Sequence, residues 1–320
     1  MVYKIKQLPE DFFVDEISNV VPAKLGEFTY FLLIKRNYTT EDAIQRLARH
    51  FNIKRKFFGY AGNKDKKAVT KQLCSVNGKL GNVKLKDLGV EVFGRSNKPI
   101  SLGDLEGNRF EIVVRDIDEL PKRIERVTNF FDTQRFGIKR NNHLIGKFIL
   151  KKDFKRAVGL VIEGEKKREI LDHLANCPND YVGALRLIPR KILTMYINAY
   201  QSHVWNECVK EYIRLGKEQN YSVELPIVGF GTELYDDDIG RIIKAILKRD
   251  GITLKDFVIR EIPELSSEGY LRRVFVEVRD LKIGKLEDDE LNKGKRKVKV
   301  CFGLQKGSYA TLVIREMFNS

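Results

Sequence analysis

One stretch of this sequence carries residues that could do chemistry. From residue 57 the chain reads Phe57-Phe58-Gly59-Tyr60-Ala61-Gly62-Asn63-Lys64-Asp65-Lys66-Lys67-Ala68-Val69-Thr70-Lys71-Gln72. Two glycines and a small alanine let the backbone turn sharply. A single carboxylate, Asp65, then sits among Lys64, Lys66 and Lys67, just before a segment with strand character. A loop feeding a strand is where a rigid scaffold can present a reactive side chain. An ionised carboxylate there can act as a covalent nucleophile, and the lysines around it can hold the phosphates of a polynucleotide. The competing reading is an aspartate neutralised by lysines in an ordinary turn, because structural ion-pair networks also gather such charges.

Other chemistries find no support. Asn63-Lys64-Asp65 lacks the spacer of a guanine-reading Asn-Lys-x-Asp, and the chain has no G-x-x-x-x-G-K-[ST] phosphate loop. His50, His143, His173 and His203 are scattered, which weakens a histidine-based hydrolase or metal site. Cys74, Cys177, Cys208 and Cys301 form no Cys-x-x-Cys pair, so neither a disulfide framework nor a cysteine zinc site is expected. They read as core residues of a protein in a reducing compartment.

The composition narrows the partner. The chain has 320 residues, 42% hydrophobic and 32% charged, with a formal net charge of +15. That length suggests two compact units, or one core with a large insertion, and global disorder is excluded. An excess of positive charge points to an anionic partner, nucleic acid first. The N-terminus has no apolar signal region, and no stretch approaches the roughly 18 apolar residues of a membrane helix. A soluble, cytoplasmic protein with no membrane association is expected.

The elements that would position Asp65 follow from periodicity. Phe12-Phe13-Val14 opens a short alternating segment, and Phe28 to Ile34 reads as a buried strand. Thr39 and Thr40 offer an N-cap to a helix from Thr40 to Phe51. Ala68 to Val76 and Phe110 to Arg115 read as strands, and Ile124, Val127 and Phe131 as one face of a helix. Asp153 to Ile162, Lys166 to Ala175, Ile192 to Leu215 and Asp237 to Lys248 read as helices. Strands then return over Leu271 to Val278 and Lys297 to Phe302. The order strand-rich, helix-rich, strand-rich predicts one domain from residues 1–145 and 267–320, with a helical insertion over 146–266. The basic run Lys293, Lys295, Arg296, Lys297 and Lys299 reads either as a phosphate contact or as a lysine-guarded edge strand.

Residues Ala61 to Gln72 resemble the signature of the TruD family of tRNA pseudouridine synthases, in its archaeal form. Pro9-Glu10-Asp11-Phe12, with Lys6 ahead of it, is similar to the family's N-terminal motif. Leu102-Gly103-Asp104-Leu105-Glu106-Gly107-Asn108-Arg109-Phe110 resembles its Leu-Gly…Gly-Asn-x-Phe element. Phe131-Asp132-Thr133-Gln134-Arg135-Phe136-Gly137 is similar to its Gln-Arg-Phe-Gly motif. Asn198 to Ser202 and Gly307 to Thr311 resemble two later ones. Residues Phe148 to Arg190 and Tyr212 to Pro263 match weakly. Gln134 to Gly137 also reads, without the resemblance, as a helix end closed by glycine.

The resemblance implies an isomerase that converts uridine to pseudouridine in tRNA, at position 13. It implies Asp65 as the catalytic carboxylate and Lys6, Lys64, Asn108 and Phe110 as substrate-binding residues, with Phe110 against the target base. It also implies an α+β fold: a mixed, mainly antiparallel sheet in the catalytic domain, interrupted by a helix-rich insertion specific to the family. Nothing is oxidised and no group leaves in this isomerisation, so no cofactor, no metal and no obligate protein partner is expected. The alternative is a non-catalytic tRNA-binding protein or chaperone on the same fold; a basic ribosomal protein would call for basic tails, which the sequence lacks.

Overall fold

The computed structural model describes residues 3–164, 168–217 and 221–319. In chain order it begins with β1 (Phe12–Ile17), β2 (Phe28–Arg36), α1 (Thr40–His50), β3 (Phe58–Tyr60), β4 (Val69–Asn77), β5 (Val83–Leu85), β6 (Leu88–Ser96), β7 (Gly107–Ile117) and β8 (Arg126–Thr128). There follow α2 (Asn142–Leu150), α3 (Phe154–Gly164), α4 (Arg168–Asn176), α5 (Tyr181–Arg186), α6 (Arg190–Arg214), β9 (Glu224–Ile227) and α7 (Asp238–Asp250). The chain closes with β10 (Tyr270–Arg273), β11 (Phe275–Glu277), β12 (Arg279–Ile283), β13 (Glu287–Asp288), β14 (Arg296–Gln305) and α8 (Ala310–Phe318). It divides into two compact units, one ending at Val127 and resuming at Val276, the other spanning Thr128–Phe275. The sequence puts the exchange points at 145/146 and 266/267; the units change over at 127/128 and 275/276.

The first unit is built on a ten-stranded sheet in the order β12-β14-β7-β1-β4-β2-β6-β5, with β13 on β14 and β3 on β4. β1 and β4 run parallel and the other pairings are antiparallel. The sheet is therefore mixed and mainly antiparallel, and the α+β expectation holds. β2 alternates as a half-buried strand should, with Phe31 and Leu33 fully buried. Their partners on α1 are Ala43, Ile44, Leu47 and Ala48, spaced to share one helix face. Thr39 Oγ1 caps α1 by accepting the Asp42 N–H at 3.1 Å. Glu41 and Asp42 in the first turn and Arg49 and His50 in the last complement the helix dipole.

The second unit is organised around α6, a 25-residue helix buried on several faces: Leu193, Ile197, Tyr200, Val204, Trp205 and Cys208 are all at most 3% exposed. Gly146 lets α2 approach it, since a Cβ there would lie 2.1 Å from the Tyr196 carbonyl oxygen. Trp205 donates to Leu225 O on β9 (3.3 Å) and Gln201 to Val228 O (2.7 Å).

Three expectations change. The helix expected through Ile124, Val127 and Phe131 is absent; the chain there is β8 and an extended continuation. Val127, Asn129 and Phe131 are the buried positions, a period of two. Asn129 hides that period by putting an amide in an inward slot, where it donates to Arg273 O at 3.1 Å and accepts from Arg272 at 2.8 Å. The single strand expected over Leu271 to Val278 is broken at Val274, because β10 pairs with β9 and β11 with β8. The basic run lies on and beside β14, which is flanked by β7 on one side and by β12 and β13 on the other, so it guards no edge. Four of its five cations meet carboxylates: Lys295 with Asp118 (2.8 Å), Lys297 with Glu290 (2.5 Å), Arg296 with Asp288 (3.4 Å) and Lys299 with Glu111 (3.5 Å). The helix expected over 166–175 is seen as α4; residues 166 and 167 lie outside the described residues.

Candidate active site

The site grows from the middle of the sheet. β1 lies between β7 and β4. Its register places Glu16 opposite Asn108 and Val14 opposite Phe110. Asp65 stands in the loop between β3 and β4, whose first residue, Val69, pairs with Phe13. The sheet thus brings together Lys64 and Asp65 from the β3–β4 loop and Asn108 and Phe110 from β7.

Lys6 joins them from the N-terminal segment, where its Nζ donates to Asp65 Oδ2 in a salt bridge. Its backbone is left-handed, with φ 58°, a conformation that is uncommon for a residue with a side chain. Its ammonium also lies 4.0 Å from the centre of the Phe12 ring. The turn that follows is anchored: Asp11 accepts the Leu8 N–H at 2.8 Å and, on both carboxylate oxygens, the Arg115 Nε–H at 3.0 Å. The Pro9-Glu10-Asp11-Phe12 motif therefore serves to hold Lys6 against Asp65. Asp65 keeps 36% of its side chain exposed and Lys6 only 15%.

Lys64 points the other way. Its Nζ is 2.6 Å from Glu16 Oε2 and donates to Asn108 Oδ1 at 2.7 Å. The pair is buried, Lys64 at 6% and Glu16 at 0% side-chain exposure, so each charge depends on the other for its place. Sequence reasoning missed Glu16. Beside Asp15 on β1 it reads as an ordinary strand carboxylate, and a partner 48 positions away left no local signal.

Phe110 is 6% exposed. It packs against Phe302 with 5.5 Å between ring centres and edge-on against Phe12 at 6.1 Å. Its ring is thus the centre of an aromatic cluster beneath the Lys6–Asp65 pair, as well as a neighbour of Asn108 in sequence. Of the later motifs, Gln134 to Gly137 forms a short 3₁₀ turn closed by Gly137 at φ 78°. Arg135 donates to Ser202 on α6 at 3.0 Å. Among the described residues no group of three or more His, Cys, Asp or Glu side chains could hold a metal ion. No described helix is long and apolar enough to cross a membrane.

What this arrangement can do is present one accessible carboxylate, fixed by an ammonium, beside an amide and an aromatic floor. Comparison with known proteins follows the same lines. The family model described as tRNA pseudouridine synthase D (TruD) matches residues 1–169, 163–224 and 211–317. A Methanococcoides burtonii protein named "Probable tRNA pseudouridine synthase D" is 32% identical, covering 98% of this chain and 92% of its own. A Methanocaldococcus jannaschii protein, "Probable tRNA pseudouridine synthase D 2", is 31% identical over 98% of this chain and 91% of its own. The crystal structure of a TruD protein from Methanosarcina mazei superposes with a TM-score of 0.77 at 30% identity, covering 98% of this chain and 92% of that one.

Proposed function

The chain belongs to the tRNA pseudouridine synthase D family, whose activity is the formation of pseudouridine in tRNA, and on that premise we propose that Asp65 is its catalytic carboxylate and uridine 13 its target. The observation that carries this reading is the Asp65 carboxylate, 36% exposed and salt-bridged to the largely buried Lys6.

The reaction breaks the N1–C1′ bond, turns the uracil and joins C5 to C1′; C5 gives up its proton and N1 gains one. Asp65 serves either as nucleophile at C1′ or C6, or as the base that takes a proton during glycal formation. Each route needs the carboxylate against a uridine taken out of its stack. Lys6 holds that carboxylate in place. Asn108, oriented by Lys64, faces the uracil edge, and Phe110 forms the floor beneath the base. The substrate is tRNA, and we place the enzyme in the cytoplasm.

Incubating the protein with unmodified tRNA transcripts and mapping pseudouridine by base-specific chemistry tests this. A single new pseudouridine at position 13 is expected. Pseudouridine elsewhere in tRNA would remove the positional reading alone. Tight tRNA binding without any pseudouridine would favour a non-catalytic binder.

A further inference from the structure

Three buried polar side chains hold the backbone of the Asp65 loop from behind. Lys35, on β2, is 0% exposed, and its Nζ donates to the carbonyl oxygens of Tyr38 at 2.7 Å and of Asp65 itself at 2.8 Å. Thr40, the first residue of α1, is also 0% exposed; its Oγ1 accepts the Lys64 N–H at 2.9 Å and donates to Gln72 Oε1 at 2.9 Å. Gln72, on β4, donates its Nε2 to the Gly62 carbonyl at 3.0 Å. Gly62, Lys64 and Asp65 are thereby tied by side chains from three different elements.

Lys35 is the costly member of this cradle. A buried ammonium is ordinarily paired with a carboxylate, yet the hydrogen-bond acceptors of Lys35 Nζ are two backbone carbonyls. Burial pushes its pKa down to about 8, with Asp65 pulling it up and Lys64 adding repulsion. A methionine would fill the slot without that cost, so packing does not account for a lysine. What the ammonium supplies is a charge-assisted hydrogen bond to the peptide unit that bears Asp65.

We propose that Lys35 is a positioning residue for the isomerisation: through the Asp65 carbonyl, and together with Thr40 and Gln72, it fixes the main chain that aims the Asp65 carboxylate at the uridine. This rests on the reading of Asp65 as the catalytic carboxylate. All three cradle residues are buried, so their loss acts on the chemical step and not on RNA binding.

The test is single-turnover isomerisation of a tRNA transcript by Lys35→Met, with filter binding and thermal unfolding alongside. The rate constant falls by about a hundredfold, as for a reacting group displaced by roughly 1 Å, while Kd is unchanged. The wild-type rate also declines as pH rises through about 8, and Lys35→Met lacks that limb. The other charged or titratable groups acting on Lys35 are Asp65 and Lys64 from the loop and Cys74 from β4. A wild-type rate in folded Lys35→Met, or a loss of rate matched by an equal loss of binding, overturns the proposal. Should Lys35→Met not fold, Thr40→Val decides instead: a lower rate at unchanged Kd, recovered by Thr40→Ser, supports the cradle, and an unchanged rate overturns it. Asp65→Asn separates the two readings. If Asp65→Asn isomerises at the wild-type rate, the functional reading falls; if it is inactive while Lys35→Met runs normally, only the cradle falls.

Discussion

Arg115 and Asp65 are both held by partners far away in sequence, and the difference between their surroundings separates a structural charge from a chemical one. Arg115 is 3% exposed. Its guanidinium meets Asp11 at 2.9 Å, Asp289 at 2.9 Å and Glu290 at 3.1 Å. Asp289 in turn accepts from the Asp116 and Leu291 N–H groups, both at 3.0 Å, and from Asn292 at 2.7 Å. Burial pushes the Asp289 carboxyl up, but those donors and Arg115 outweigh it and hold it at about 2. The cluster is saturated and has nothing left to offer a ligand. Asp65 has a fixed backbone and an open carboxylate with Lys6 beside it. A closed network rigidifies; an open one on a rigid support can react.

The largest effect that would sharpen this contrast is Arg115→Leu. It leaves Asp11 and Asp289 buried without their counter-charge and should cost about 3–5 kcal/mol of stability, read by urea unfolding. Because Asp11 anchors the turn after Lys6, surviving folded protein should also lose rate. Unchanged stability would mean that the cluster is not the clamp described.

Acid should find the second unit before the first. His143 and His203 stack with ring centres 4.6 Å apart. Burial, then His203 and Lys147, push His143 down to about 4, and burial also lowers His203. The unfolded chain therefore takes up protons near the ordinary value of 6.5 while the folded one does not. This contribution to stability is present above about 6.5 and is lost as pH falls toward 4, on the order of 2–3 kcal/mol. The Asp289 contribution has the same sign but is lost lower, from 3.8 down to about 2. Thermal unfolding across pH should show the first loss flattened in His143→Phe and the second untouched.

Phe110→Leu keeps an apolar side chain of somewhat smaller volume and removes the π-face. It should lower kcat/KM about tenfold if the ring meets the uracil, with about 1 kcal/mol of stability lost. Loss of stability with normal turnover would reassign Phe110 to the aromatic cluster of Phe12 and Phe302 alone. Smallest is Thr39→Ala, which removes the α1 cap and should cost about 1 kcal/mol in Tm-derived stability. Turnover should hold, because Thr40 Oγ1, one residue on, still accepts from Lys64.

Much of this was legible in the chain. The capped amphipathic helix at Thr40, the strand before it and the helices of the second unit follow from periodicity. The motif around Asp65 pointed at the loop proposed as the site, and the structure places Lys6, which the resemblance named, against Asp65, and Asn108 against Lys64. What escaped was non-local or disguised. Lys35 and Glu16 look like ordinary strand polar residues until β1, β2 and the loop come together. Asn129 in an inward slot made a strand look helical, and Val274 divides what reads as one strand because the partner changes there. Lys295, Arg296, Lys297 and Lys299 look like an edge guard until β12, β13 and β7 are seen on either side of β14.

The central claim is that Asp65 performs the isomerisation, and the most direct measurement follows the proton it displaces. Transcripts carrying uridine labelled with tritium at C5 release it when C5 joins C1′. Wild-type protein should release tritium equal to the pseudouridine formed. Asp65→Asn should bind the same tRNA with unchanged Kd, keep its fold by circular dichroism, and release none. Tritium release by Asp65→Asn near the wild-type rate would contradict the account.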